Sequence, residues 1–361
     1  MRIKMNKTIL NHLIKDYSSF VEDPKNIIKI NKMRNLLSNI DEIKTGSTQY
    51  EIIKETPLFR LIHYKPIREQ SYKYPLLIVY ALINRSYIFD LQDDKSWVKN
   101  LLEQGINVYL LDWKAPSKVD KFTTIDDYVS QFIYECVEQI KSIEKVQQIS
   151  LQGYCMGATM SLMYTSIYQK NIRNLITIAP IVDAEQDKSV VKNMAQFMDI
   201  DKVLSFHENF PYEYLYLVFS VLKPFKQGVN KYFNLFNNLE DQNFVQNFLR
   251  IEKWIYDTPP IAGEAFRQWV KDIYQKNLLA KNKMIVGSNR INLLNIKVPL
   301  LNVVAEADHL VSPECSASLN KLVSSSDKSL MRFPTGHVGL IASGFSQKAV
   351  LPKISKWIKM H

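Results

Sequence analysis

The sequence predicts an α/β protein, a mostly parallel sheet covered by helices, with a long and mostly helical insertion between two sheet strands. Three observations carry that prediction. Short apolar runs alternate with amphipathic stretches from Pro75 to Pro180. The rhythm stops across residues 183–290, which are aromatic-rich and mostly helical in pattern. It resumes at Val298 and runs to the C-terminal residues. A strand buried on both faces reads as a short apolar run, whereas a helix spaces its apolar positions three and four apart.

Residues 1–60 read as an N-terminal segment of polar helices with little strand character, clearest from Lys25 to Ile40. LLIVY (Leu76–Tyr80) and INVYLLDW (Ile106–Trp113) are the first buried strands. A helix is expected over Thr124–Ile143, then a strand at QISLQG (Gln148–Gly153), a helix from Met156, and a strand at NLITIAP (Asn174–Pro180). PYEYLYLVFSVLKPF and FVQNFLRIEKWIYD fall in the insertion, which is expected to cap the sheet. VPLLNVVAEAD (Val298–Asp308) and SLMRFP (Ser329–Pro334) are the last strands, each followed by a helix. The predicted organisation is a helical segment at 1–60, a core of 61–182 and 291–361, and a cap subdomain of 183–290.

Composition narrows the function. The net charge is +10, but Lys is scattered among Asn and Ile, without a basic helix or an aromatic–basic module. A Lys-rich solvated surface is the first account of that charge, and attraction toward anionic phosphates, on a ligand or a lipid-coated surface, is the alternative; no nucleic-acid partner is expected. No apolar run approaches the roughly 18 residues that cross a bilayer. The first residues lack the apolar stretch of a signal peptide, so a cytoplasmic location is expected. The three cysteines, Cys136, Cys155 and Cys315, are too widely spaced for a disulfide framework or a zinc site. Cys136 and Cys315 read as packing residues.

Cys155 differs because of its neighbours. Gly153-Tyr154-Cys155-Met156-Gly157 lies between a predicted strand and a predicted helix. This is the nucleophile-elbow pattern of the α/β-hydrolase fold, with Cys in place of the usual Ser. Glycines two residues either side relieve the crowding of a tight turn, and the helix N-terminus favours a thiolate and an oxyanion. An acid and a histidine should follow in that order, each after a later strand. Asp308 in VVAEADHLVSP and His337 in MRFPTGHVGL satisfy that order. Glu306 and His309 are the weaker competitors, and Asp112 is expected to serve structure near the site. His12, His63, His207 and His361 are expected at the surface. Of the ten glycines, those at 153, 157, 336, 339 and 344 lie in or beside the Cys and His loops, which suggests unusual backbone demands there.

Chemistry follows from these types. A thiolate attacks esters and thioesters, and the acyl-enzyme it forms stays activated toward an alcohol. His337 would take the thiol proton and Asp308 would orient it. Oxyanion donors are expected from the backbone N–H of Met156 and from the loop Leu82-Ile83-Asn84-Arg85, with Ile83 the candidate. No metal or cofactor is called for.

The sequence resembles the catalytic subunit of polyhydroxyalkanoate synthases of the short two-component kind, class III or class IV, from about Pro75 to Trp357. The resemblance rests on YALINRSYIFDL, LLDW, the cysteine box, the segment FLRIEKWIYDTPPIAGEAFRQWVKDIYQKN around Trp254, AEADHLVSP and GHVGL. It implies polymerisation of (R)-3-hydroxyacyl-CoA, 3-hydroxybutyryl-CoA first among them, with CoA as leaving group and the polyester held on Cys155. It also implies His337 as general base, Asp308 assisting the 3-hydroxyl, a homodimer, a second synthase subunit and association with polyester granules. Ala158 and Lys114 stand where many members have Gly. A cysteine esterase or thioesterase of the same fold, like dienelactone hydrolase, would share the triad and differ only in its acyl acceptor. A non-catalytic granule scaffold would not need the triad.

Overall fold

The computed structural model describes residues 23–215 and 226–361. The helical expectations for residues 1–22, including His12, and for much of PYEYLYLVFSVLKPF lie outside them. The described chain divides into two compact units, drawn from Met1–Lys44 with Lys223–Ile255, and from Thr45–Leu222 with Tyr256–His361.

The larger unit holds an eight-stranded sheet. Its strands are β1 (Tyr50–Glu55), β2 (Phe59–Tyr64), β3 (Leu76–Val79), β4 (Val108–Trp113), β5 (Ile149–Tyr154), β6 (Ile172–Ile178), β7 (Leu300–Ala305) and β8 (Lys328–Phe333). They lie in the order β1-β2-β4-β3-β5-β6-β7-β8. Pairing is antiparallel for β1–β2 and β2–β4 and parallel for every pair from β4 to β8. β3, β4, β5 and β7 are buried along their whole length, the state their unbroken apolar runs predict. Helix Met156–Tyr168 is buried almost throughout, with Ala158, Met160, Leu162 and Met163 fully enclosed.

Two parts differ from the sequence reading. Residues 50–60 are not helical, because β1 and β2 form a hairpin there. β1 is largely exposed, so its YEIIKE lacks the apolar run that marks a central strand. Its structure comes from the ladder to β2 and from Thr56, whose hydroxyl accepts from Phe59 N at 3.0 Å in the turn.

The other difference concerns the insertion. Helix Lys226–Asn237 and helix Gln242–Tyr256 as far as Ile255 group with Pro24–Ser38 in the smaller unit, whereas 183–215 and 256–290 group with the sheet. Leu235, Leu239, Val245 and Leu249 form that unit's core, and Met33, Leu36, Leu37 and Ile43 pack on it. None of these helices can cover its apolar stripe alone, so segments far apart in sequence share one core. Glu252 is buried there, accepting from the Tyr232 hydroxyl at 2.9 Å and paired with Lys231 at 2.5 Å.

The helix expected at Thr124–Ile143 is present, but π-helical over Asp127–Ile133 before becoming α-helical at Tyr134–Glu144.

Candidate active site

β5 ends at Tyr154, and Cys155 follows with φ 55° and ψ −122° before helix Met156–Tyr168 begins. A side chain rarely takes positive φ, so the turn is held by its surroundings. Cys155 N donates to Ile178 O at 2.9 Å, and the N–H groups of Ala158 and Thr159 donate to Cys155 O at 3.0 and 3.2 Å. The flanking glycines are needed for close approach. A Cβ on Gly153 would lie 2.3 Å from Ala158 Cα, and one on Gly157 would lie 2.2 Å from Val79 O. Gly157→Ala therefore forces β3 and the elbow apart. We expect it to destabilise the fold by about 2–3 kcal/mol, measured as a lower urea midpoint, and to slow the enzyme through a displaced Cys155. An unchanged midpoint would contradict the geometry.

The His loop has no such demand. Gly336 leaves its nearest neighbour 3.4 Å from a Cβ and Gly344 has open space, so the glycine clustering reports close packing at 153 and 157 but not there. Gly339 is crowded only by the Thr335 side chain.

Asp308 follows β7 and His337 follows β8; both are buried. His337 Nδ1 and Asp308 Oδ2 are 2.6 Å apart. The other carboxylate oxygen accepts from Leu310 N at 2.8 Å and Val311 N at 3.0 Å. One oxygen thus fixes the loop while the other orients the imidazole and leaves Nε2 free of that task. Burial opposes a charge on His337. The negative charges of Asp308 and Cys155, and hydrogen bonds to both, outweigh it and raise its pKa to about 10. Cys155 thus acts on the imidazole's proton affinity, and it is partly exposed where Cys136 and Cys315 are buried.

The competitors are placed elsewhere. Glu306 and His309 are exposed. Asp112 is buried, accepts from Arg60 Nε at 3.0 Å and from the Ser86 hydroxyl, and so braces the strand ends. His63 is half-buried: its ring stacks on Tyr109, its Nε2 lies 2.8 Å from Asn107 Oδ1 and its Nδ1 lies 3.2 Å from the exposed Glu51 carboxylate. His207 and His361 are half-buried. Lys114 pairs with Glu55 at 3.0 Å on the surface, and Ala158 is enclosed beside Gly153.

Met156 opens the elbow helix and Ile83 lies in the loop after β3, half-buried, next to Asn84 at φ 62°. Tyr154 was not legible as a site residue. Its hydroxyl donates to His337 O at 3.3 Å and its ring lies 4.9 Å from the imidazole, so it supports the His loop from beneath. Its place inside the cysteine box is the one signal the sequence offered.

Sheet, elbow and strand-end residues together define a chain of the α/β-hydrolase class. The family described as alpha/beta hydrolase fold matches residues 74–342. Among solved structures, a monoacylglycerol lipase of Paleococcus ferrophilus is similar at TM-score 0.54 and 17% identity, covering 85% of this chain and 100% of that one. A thermophilic esterase from Thermogutta terrifontis is similar at TM-score 0.51 and 12% identity, covering 87% and 99%. These likenesses concern the fold.

The family described as the N-terminus of poly-beta-hydroxybutyrate polymerase (PhaC) matches residues 11–101. Poly(3-hydroxyalkanoate) polymerase subunit PhaC of Allochromatium vinosum is 40% identical over 328 residues, 90% of this chain and 92% of that protein. The same subunit of Thiocystis violacea is 41% identical over 327 residues, again 90% and 92%. That of Haloferax mediterranei is 39% identical over 320 residues, 88% of this chain but 65% of its own length. The chain belongs to the poly(3-hydroxyalkanoate) polymerase family, PhaC of the short type, and is an enzyme of the acyltransferase kind. Among the described residues no helix is long and apolar enough to cross a membrane.

Proposed function

We propose that this chain polymerises (R)-3-hydroxyacyl-CoA, with 3-hydroxybutyryl-CoA as its monomer, by thioester catalysis on Cys155. The observation that carries the reading is Cys155 on a strained elbow, partnered by a buried His337 whose Nδ1 is held 2.6 Å from Asp308. His337 holds the thiol proton while Sγ attacks the substrate thioester carbonyl. The tetrahedral oxyanion is met by the N–H groups of Met156 and Ile83. The carbon–sulfur bond to CoA breaks, CoA leaves with the proton from His337, and the acyl group remains on Cys155. The 3-hydroxyl of the next hydroxyacyl-CoA then gives its proton to His337, with Asp308 balancing the imidazolium, and attacks the acyl thioester. The ester bond forms as the carbon–sulfur bond to Cys155 breaks, and Cys155 leaves as a thiolate beside the imidazolium, ready to take back the lengthened chain from its CoA thioester.

In this reading the working enzyme is a cytoplasmic homodimer joined by a second synthase subunit of the class III or class IV type, at the surface of its polyester granule. It uses no metal or cofactor, CoA being part of the substrate. The family resemblance supports the homodimer and the second subunit.

Incubation of the purified chain, with the second subunit, with (R)-3-hydroxybutyryl-CoA tests the reading. CoA release accompanied by insoluble polyester is the expected result. CoA release with only free hydroxy acid would make water the acceptor and the chain a thioesterase.

A further inference from the structure

The loop after β3 is tied down by side chains whose partners lie far along the sequence. It begins pressed against the elbow, since a Cβ on Gly157 would come within 2.6 Å of Tyr80 O. Tyr80 O also accepts from Trp113 Nε1 at 2.9 Å. Four residues on, Asn84 is buried in the left-handed region, at φ 62°. Its Nδ2 donates to Thr258 Oγ1 at 2.6 Å. Arg85 Nε donates to Asp257 Oδ1 at 3.1 Å, and Ser86 turns the opposite way, its hydroxyl donating to Asp112. Asp257 and Thr258 directly follow helix Gln242–Tyr256.

We infer that Asn84 and Arg85 are positioning residues for acyl transfer, holding the Ile83 N–H through Thr258 and Asp257; the inference rests on the acyl-transfer reading of Cys155. An oxyanion donor helps the transition state only if it is in place before charge develops. A loop without regular structure has no ladder to place it. Here Tyr80 O is held at the start of the loop, and two adjacent side chains after Ile83 are anchored on one neighbouring segment and the next on another, so the ties bracket the Leu82–Ile83 peptide from both sides. Asn suits this position because it tolerates positive φ and carries a donor to anchor itself.

The experiment uses the full chain with the second subunit and 3-hydroxybutyryl-CoA. Thr258→Val removes the acceptor at nearly constant volume, and Asn84→Gly keeps the backbone permitted while removing the tie. Each is expected to lower kcat for CoA release by about 10- to 100-fold with KM changed by less than about threefold. Thr258→Ser restores the rate to within about threefold, because the hydroxyl returns. Alkylation of Cys155 by iodoacetamide forms no oxyanion, so its rate stays at the wild-type value in all three. Unchanged kcat in both Thr258→Val and Asn84→Gly, no recovery in Thr258→Ser, or an equal loss of alkylation rate would each overturn the inference. Cys155→Ala in the same assay separates the two levels. If it retains CoA release, the acyl-transfer reading itself fails; if it abolishes release while Thr258→Val runs at the wild-type rate, only the positioning role fails.

Discussion

Replacing Cys155 by alanine is expected to abolish CoA release, a loss of about 10⁴-fold or more. The substitution removes only the sulfur that the proposed mechanism acylates. It keeps the Cβ, so the backbone at φ 55° is neither relieved nor further strained. The thiol is partly exposed, so no core cavity forms. Thermal stability should therefore stay within about 0.5 kcal/mol of the wild type, which separates lost chemistry from lost folding. Cys155→Ser retains shape and hydrogen bonding but supplies a far weaker acid, and a deficit of several orders of magnitude is expected there too. The other two cysteines supply the control. Cys136 and Cys315 are buried, and burial pushes both thiols well above the ordinary range. Iodoacetamide should label Cys155 alone in the native enzyme. Labelling should stop in Cys155→Ala, as measured by peptide mass spectrometry. Undiminished CoA release by that variant would remove the covalent mechanism.

The sheet was legible because parallel strands covered on both faces leave an apolar run with little ambiguity. Leu76–Val79, Val108–Trp113 and Leu300–Ala305 all fall within the segments read as strands. The order of Cys155, Asp308 and His337 was legible for a related reason. Loops at the carboxyl ends of parallel strands gather at one edge, so three residues that each follow a strand are brought together by topology. What failed to show depended on pairing across the chain. The β1–β2 hairpin draws its stability from an exposed ladder, and YEIIKE has no pattern that distinguishes it from a polar helix. The smaller unit joins Met33 and Leu36 to Leu235 and Leu249, a grouping that apolar periodicity on either helix cannot reveal. The same limit hid the ties from Tyr154 to the His337 carbonyl and from Asn84 to Thr258. Each donor sits in a readable motif, but its acceptor is chosen by the folded chain.

The charge state of His337 leads to the second large effect, a pH-dependent contribution to stability. Burial disfavours its cation, yet the charges of Asp308 and Cys155 and hydrogen bonds to both prevail, and the pKa rises from 6.5 to about 10. A group whose pKa rises on folding binds its proton more tightly in the native state than in the unfolded chain. Its stabilisation is complete below about 6.5, drains as the pH climbs, and is gone above about 10. The stability difference between wild type and His337→Gln should therefore be largest at pH 6 and shrink steadily toward pH 10, followed by urea unfolding at each pH. A difference that stays flat or grows across that window would refute the coupling. Asp308→Asn probes the same pair from the other side. It removes the nearer negative charge and offers Nδ1 an amide that can present the wrong partner, so the imidazole loses both its orientation and its hold on the proton. By analogy with other triads, kcat should fall by about 10³–10⁴-fold, and the upper limb of the pH–rate profile should move to lower pH. A merely structural carboxylate would lower stability without moving that limb. The 2.6 Å contact between two buried groups therefore makes the pH profile, more than the size of the loss, the measurement that assigns Asp308 its role.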